Sequence, residues 1–215
     1  YDPGLLLGSS NRYILAKRRG PRLRQASRRL RVVLNIGEGG RHHFVYGNRT
    51  TAMDLFASVA SQLVARDVDV SFVAMWKDDA PITKVTARAA GLRYRPKVPM
   101  SLRNFVRKIE HADAIVCWRL HCAVFAHALG IPWILLAYRL KAFDFGASVH
   151  LMHRVIGMDI ATPDMVLEQI KRVIETPFVS WRGDVEAARV AWERVSRDLR
   201  SRVGAYERRE WRRLR

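Results

Sequence analysis

The stretch from Ala114 to Tyr138 leaves this chain few ways to fold. Ala114-Ile115-Val116-Cys117-Trp118 is a five-residue apolar run, and Cys122 to Leu129 is a longer apolar stretch closed by Gly130. Ile131-Pro132 makes a short break before a second apolar run, Trp133 to Tyr138. Short apolar runs bounded by breakers read as strands buried on both faces, and the stretch between them reads as a helix. Strands of that kind, joined through a helix, belong to a parallel sheet. The rest of the chain repeats the alternation. A strand is expected at Arg31 to Ile36, then a helix opening at Thr50 or Thr51 with Leu55, Val59, Leu63 and Val64 on one stripe. A strand from Val68 to Met75 follows, and Pro81 suits the first turn of another helix. Ser101 is placed to cap a helix that turns Leu102, Phe105, Val106 and Ile109 inward. A helical turn around Phe145 to Val149, a short strand near Arg154 to Met158 and a helix from Pro163 to Glu175 complete the series. The class expected is α/β, a Rossmann-like parallel sheet with helices on both faces.

Ligands of such sheets collect at the carboxyl ends of the strands. Two of those ends carry chemistry. The Ala114 run stops at Arg119-Leu120-His121, and the Trp133 run stops at Arg139-Leu140-Lys141. A strand-to-helix turn aims free backbone N–H groups and a positive helix end at one spot. Adding guanidinium, ammonium and imidazole groups there makes an anion cradle with an acid or base beside it. A local carboxylate partner for Arg119, with His121 merely starting the helix, is an equally simple account. Asp78 and Asp79 follow another strand, as ligands for a hydroxyl, as a base, or as ordinary helix-capping residues. The turn Gly37-Glu38-Gly39-Gly40-Arg41-His42-His43 is a weak anion loop or a plain connector, and its spacing matches no nucleotide fingerprint. His127, mid-helix, reads as a satisfied structural histidine. Cys117 and Cys122 have neither disulfide-framework nor metal-ligand spacing, and no metal or cofactor is inferred.

Arg119 to Phe145 reads RLHCAVFAHALGIPWILLAYRLKAFDF. It resembles the signature of the polysaccharide pyruvyl transferase family: Arg-Leu-His, a small-residue helix, Gly-x-Pro, a strand, then a Tyr and a Lys. The resemblance implies the C-terminal half of a GT-B-like fold, with Arg119, Leu120 and His121 at the donor site and Lys141 at the family's Lys position. It also implies transfer of the carboxyethylidene group of phosphoenolpyruvate to a sugar, leaving a pyruvate ketal. Similar sequences often carry an acidic residue where Arg139 stands and a Pro where Leu140 stands. Arg139 is therefore a substrate-binding candidate by position alone. The opening Tyr1-Asp2-Pro3-Gly4-Leu5-Leu6-Leu7 resembles the family's interdomain segment, so an N-terminal domain is expected to complete the cleft.

Charge divides the chain. Of the net +18, the stretch Arg12 to Arg31 carries nine Lys or Arg and no acid, and residues 181–215 carry eleven Arg against six acids. Three regions are expected: a basic linker or arm (1–30), a Rossmann-like donor-binding domain (31–178) and a basic amphipathic C-terminal helix (179–215). Val185, Ala188, Trp192, Val195, Leu199 and Val203 would form that helix's apolar stripe. Basic blocks attract polyanions, and for an enzyme of lipid-linked sugars an anionic membrane surface is a simpler partner than nucleic acid. The expected location is the cytoplasm, peripheral to the inner face of the cell membrane. Two other functions stay open: a glycosyltransferase half that binds a nucleotide sugar, and a non-catalytic basic module for membranes or nucleic acid.

Overall fold

The computed structural model describes residues 28–38, 46–93 and 102–176. They contain five strands: β1 Arg31–Asn35, β2 Asp69–Phe72, β3 Ala114–Cys117, β4 Trp133–Ala137 and β5 Val155–Gly157. Six α-helices accompany them: α1 Arg49–Ala65, α2 Ala80–Ala89, α3 Leu102–Ile109, α4 Leu120–Ala128, α5 Leu140–Ser148 and α6 Pro163–Glu175. The strands form one sheet in the order β2-β1-β3-β4-β5, and every pairing is parallel. This is the Rossmann-like α/β architecture expected. The order reverses between β1 and β3, because β2 is added on one side of β1 and all later strands on the other. Loops leaving the carboxyl ends of strands at such a reversal diverge and open a crevice.

Alternate strand residues fill two apolar layers. Val32, Leu34, Val116, Ile134 and Leu136 face α1, α2 and α6, where Phe56, Val59, Ile82, Val166 and Ile170 meet them. Val33, Ile115, Leu135 and Ala137 face α3, α4 and α5, meeting Phe105, Ile109, Val124 and Phe145. Burial on both faces explains why β3 and β4 read as unbroken apolar runs.

Several boundaries differ from expectation. The cap of α1 is Asn48, whose Oδ1 accepts from Thr51 N at 2.9 Å, rather than Thr50 or Thr51. The second strand is shorter than Val68 to Met75. Helix α5 begins at Leu140, so Leu140 and Lys141 form its first turn and the Phe145 region is its second half. Thr162 caps α6 as expected, its Oγ1 accepting from Met165 N at 3.3 Å. The expectations for residues 1–27, for Gly39 to His43, for Ser101 and for the basic helix within 177–215 lie outside the described residues. Among the described residues, no helix is long and apolar enough to cross a membrane.

Candidate functional site

Asn35, at the end of β1, sets the carboxyl edge. Its side chain is fully buried. Nδ2 donates to Val73 O, beyond β2, and Oδ1 accepts from Arg119 N, beyond β3, both at 3.0 Å. One amide thereby ties together the exits of three neighbouring strands. Trp118 N adds a 2.9 Å bond to Asn35 O.

Asp79 organises the next layer out. It ends a short 3-10 turn, Lys77–Asp79, and its side chain is 0% exposed. Its Oδ2 accepts from Trp76 N and from Arg119 Nε, each at 3.2 Å. Its Oδ1 accepts from Glu38 N at 2.9 Å and forms an ion pair with Arg119 Nη2. Arg119 Nη2 also donates to Glu38 O at 2.7 Å. Both backbone groups of Glu38 are therefore held by one ion pair. Burial alone would lower the Arg119 pKa, but the Asp79 carboxylate, with a smaller contribution from Tyr138, raises it above its ordinary value. The guanidinium stays charged and its side chain remains 21% exposed. Gly37 makes room for this pair: a Cβ there would run into Arg119 Nε and lie 2.9 Å from Asp79 Oδ1.

The Arg-Leu-His turn itself caps α4. Arg119 is the N-cap residue in extended conformation, with its side chain turned to Asp79 instead of capping the helix. Leu120 is half-buried against the α3–α5 layer. His121, in the first turn of α4, is exposed. The next strand repeats the device. Arg139 is the extended N-cap of α5, half-buried, with its guanidinium 5.6 Å from the centre of the Tyr138 ring, and Lys141 is exposed in the first turn. Trp118 and Tyr138, the residues before the two arginines, stack at 4.8 Å and 10°. The four charged or titratable candidates thus stand on two adjacent turns of one edge, and Leu120 serves as an apolar anchor. Sequence reading missed Asn35 as a tie and Asp79 as the Arg119 partner. Both contacts join residues more than 35 positions apart, and no local pattern signals them.

His127, Cys117 and Cys122 are buried in the core. His127 is buried, its Nδ1 accepting from Trp133 Nε1 at 3.3 Å. Burial, and then the charge of Arg154, lower its pKa to about 4. Cys117 and Cys122 are buried free thiols with sulfurs 3.3 Å apart, and burial first, then Cys122, pushes the Cys117 thiol well up. No group of three or more His, Cys, Asp or Glu placed to hold a metal occurs among the described residues. A groove of about 430 Å³ lies at the opposite edge, lined by Val32, Leu63, Val68, Leu167, Ile170 and neighbours, and it includes none of the residues of the two turns.

The sequence profile described as "Polysaccharide pyruvyl transferase" matches residues 1–139, which takes in Arg119, Leu120, His121 and Arg139 but stops short of Lys141. No curated protein matches the chain. Among solved structures the chain is similar to a UDP-GlcNAc 2-epimerase of Methanocaldococcus jannaschii, crystallised with UDP-GlcNAc and UDP. The identity is 13% and the TM-score 0.47, over 88% of this chain and 51% of that one. The chain spans about half the length of that structure.

Proposed function

The chain belongs to the polysaccharide pyruvyl transferase family, and on that premise we propose that it takes phosphoenolpyruvate as donor and a pair of saccharide hydroxyls as acceptor. One observation carries the proposal. The Arg119–His121 turn, inside the matched stretch, stands at the carboxyl edge beside the strand-order reversal, with His121 exposed and Arg119 fixed and charged. An imidazole can give and take a proton near neutral pH, which suits a proton donor. His121 delivers a proton to the methylene carbon of the donor, and the phosphate-bearing carbon becomes oxocarbenium-like. A sugar hydroxyl adds to that carbon and gives up its proton. Phosphate leaves, and a second hydroxyl closes the ketal with loss of its own proton. Arg119, Arg139 and Lys141 hold the donor's phosphate and carboxylate, and the N-termini of α4 and α5 reinforce them. Leu120 keeps the turn seated. The basic blocks at 12–31 and 181–215 would hold such an enzyme at an anionic membrane that carries a lipid-linked acceptor.

Isothermal titration of phosphoenolpyruvate into the full chain tests the donor, with UDP-sugars as competitors. Saturable binding that is weakened but still measurable in Arg119→Ala, and unaffected by nucleotide sugars, is the expected result. With a pyruvylatable acceptor, His121→Ala lowers turnover by about 10²–10⁴-fold while donor binding persists. Displacement of the donor by a nucleotide sugar would instead favour a glycosyltransferase half.

A further inference from the structure

We propose that Asp79 is a positioning residue for donor binding, acting through Arg119 and the backbone of Glu38. The proposal rests on the preceding reading, in which the Arg119 turn holds the donor. Asp79 itself has no capacity left for a ligand. A carboxylate offers about four lone-pair sites, and Arg119 Nε, Arg119 Nη2, Glu38 N and Trp76 N take them. Its own backbone is equally committed: its N–H donates to Trp76 O at 3.1 Å and its C=O accepts from Thr83 Oγ1 at 2.6 Å. This filled carboxylate is neither the base nor the hydroxyl ligand that its place after a strand suggested. What it does is hold a guanidinium fork at one orientation and pin it to the loop that leaves β1. Three loops, from β1, β2 and β3, meet in this one ion pair at the strand-order reversal. An arginine fixed before the ligand arrives loses less freedom on binding than one that must be ordered by it.

The charge of Asp79 works against that role, and so the two effects can be separated. If Asp79 were only a counter-charge, replacing it with a neutral residue would unmask Arg119 and tighten anion binding, by up to roughly tenfold for a unit charge several ångströms away. If it positions Arg119, the same change weakens binding. Asp79→Asn keeps the shape but turns an N–H toward donors, so the fork must move. Gly37→Ala moves the fork with every charge retained, and provides a second variant should Asp79→Asn fail to fold.

The test is titration calorimetry on the full chain with phosphoenolpyruvate and, separately, inorganic phosphate, each variant first checked for a cooperative melt. Both variants are expected to bind the anion at least about tenfold more weakly. In an Arg119→Ala background, Asp79→Asn adds no further loss, because its effect passes through Arg119. Unchanged or tighter binding by a folded variant would overturn the positioning role, as would losses that multiply in the double variant. Binding of phosphate but not phosphoenolpyruvate by the parent chain would refute the donor and leave the positioning role to be judged with phosphate. Failure to bind either anion would overturn both.

Discussion

Gly37→Ala should be among the more damaging glycine-to-alanine changes at the described residues. Gly37 lies outside the positive-φ residues, so alanine meets no backbone strain there. The cost is steric and falls on the buried ion pair. The new Cβ would collide with Arg119 Nε, and would sit 2.9 Å from Asp79 Oδ1 and 3.1 Å from Arg119 Cζ. Relief requires the guanidinium to swing off a carboxylate that has no exposure to water. Removing one partner of a buried pair costs about 3–5 kcal/mol. Here Asp79 would keep its bond from Trp76 N, and Arg119 could reach solvent, so about 2–3 kcal/mol is expected. Urea unfolding of the full chain measures it. In an Arg119→Ala background the nearest colliding atoms are gone, and the same substitution should cost less than about 1 kcal/mol. Gly130→Ala provides the contrast: its φ is +69° and nothing lies within 4 Å of an added Cβ, so its penalty of about 1 kcal/mol is pure backbone. That penalty should not respond to Arg119. An equal cost for Gly37→Ala with and without Arg119, or a cost below about 0.5 kcal/mol in the parent, would refute the packing account.

Acid sensitivity should trace in part to His127. Its folded pKa of about 4 lies below the ordinary value of 6.5, so between those limits the unfolded chain takes up a proton that the fold refuses. The stabilisation is complete above pH 6.5 and is lost as pH falls toward 4, on the order of 3 kcal/mol at most. His127→Gln should flatten the fall in unfolding free energy between pH 7 and 4, and parallel profiles would contradict the assignment. Asn48→Ala removes the α1 cap and should cost about 1 kcal/mol; an unchanged melt would mean that another group satisfies Thr51 N.

The two strand-to-helix turns were legible because burial on both faces leaves a continuous apolar run, and the first polar residue marks where the strand leaves the sheet. Arg119 and Arg139 satisfy that rule, and so their placement at one edge followed from sequence. The start of α5 did not, because Arg139 is an N-cap without a capping side chain and Leu140 is exposed, so neither the cap signal nor the apolar period marks the helix start. The cap of α1 was misplaced by a similar rule: two threonines outweighed an asparagine just upstream. Asp79 could be named as standing at a strand end, but its partner could not. Which of many arginines faces a given carboxylate is decided by strand order, and strand order has no local signature.

On the reading proposed above, that partner changes how the rim would draw in an anionic donor. Counted from sequence, Arg119, Arg139 and Lys141 bring three positive charges to one edge. In the fold, Asp79 cancels the first at short range, so Arg119 contributes little field at a distance. Its value to a ligand is then geometric: hydrogen-bond donors held at fixed positions, where a free arginine would have to be ordered at a cost in entropy. On that reading the long-range attraction rests on Lys141 and the positive ends of α4 and α5, each helix end equivalent to roughly half a charge. Among the described residues no acceptor meets the N–H groups of Leu120 and His121, whereas Cys122 N already bonds Arg119 O at 2.9 Å. On the proposed reading the edge would divide its labour, with field from the β4 turn and the helix ends and fixed hydrogen-bond geometry from the β3 turn. A binding isotherm should show the division through salt. Losing Lys141 should reduce the salt dependence of anion affinity, and losing Arg119 should reduce affinity with the salt slope nearly kept.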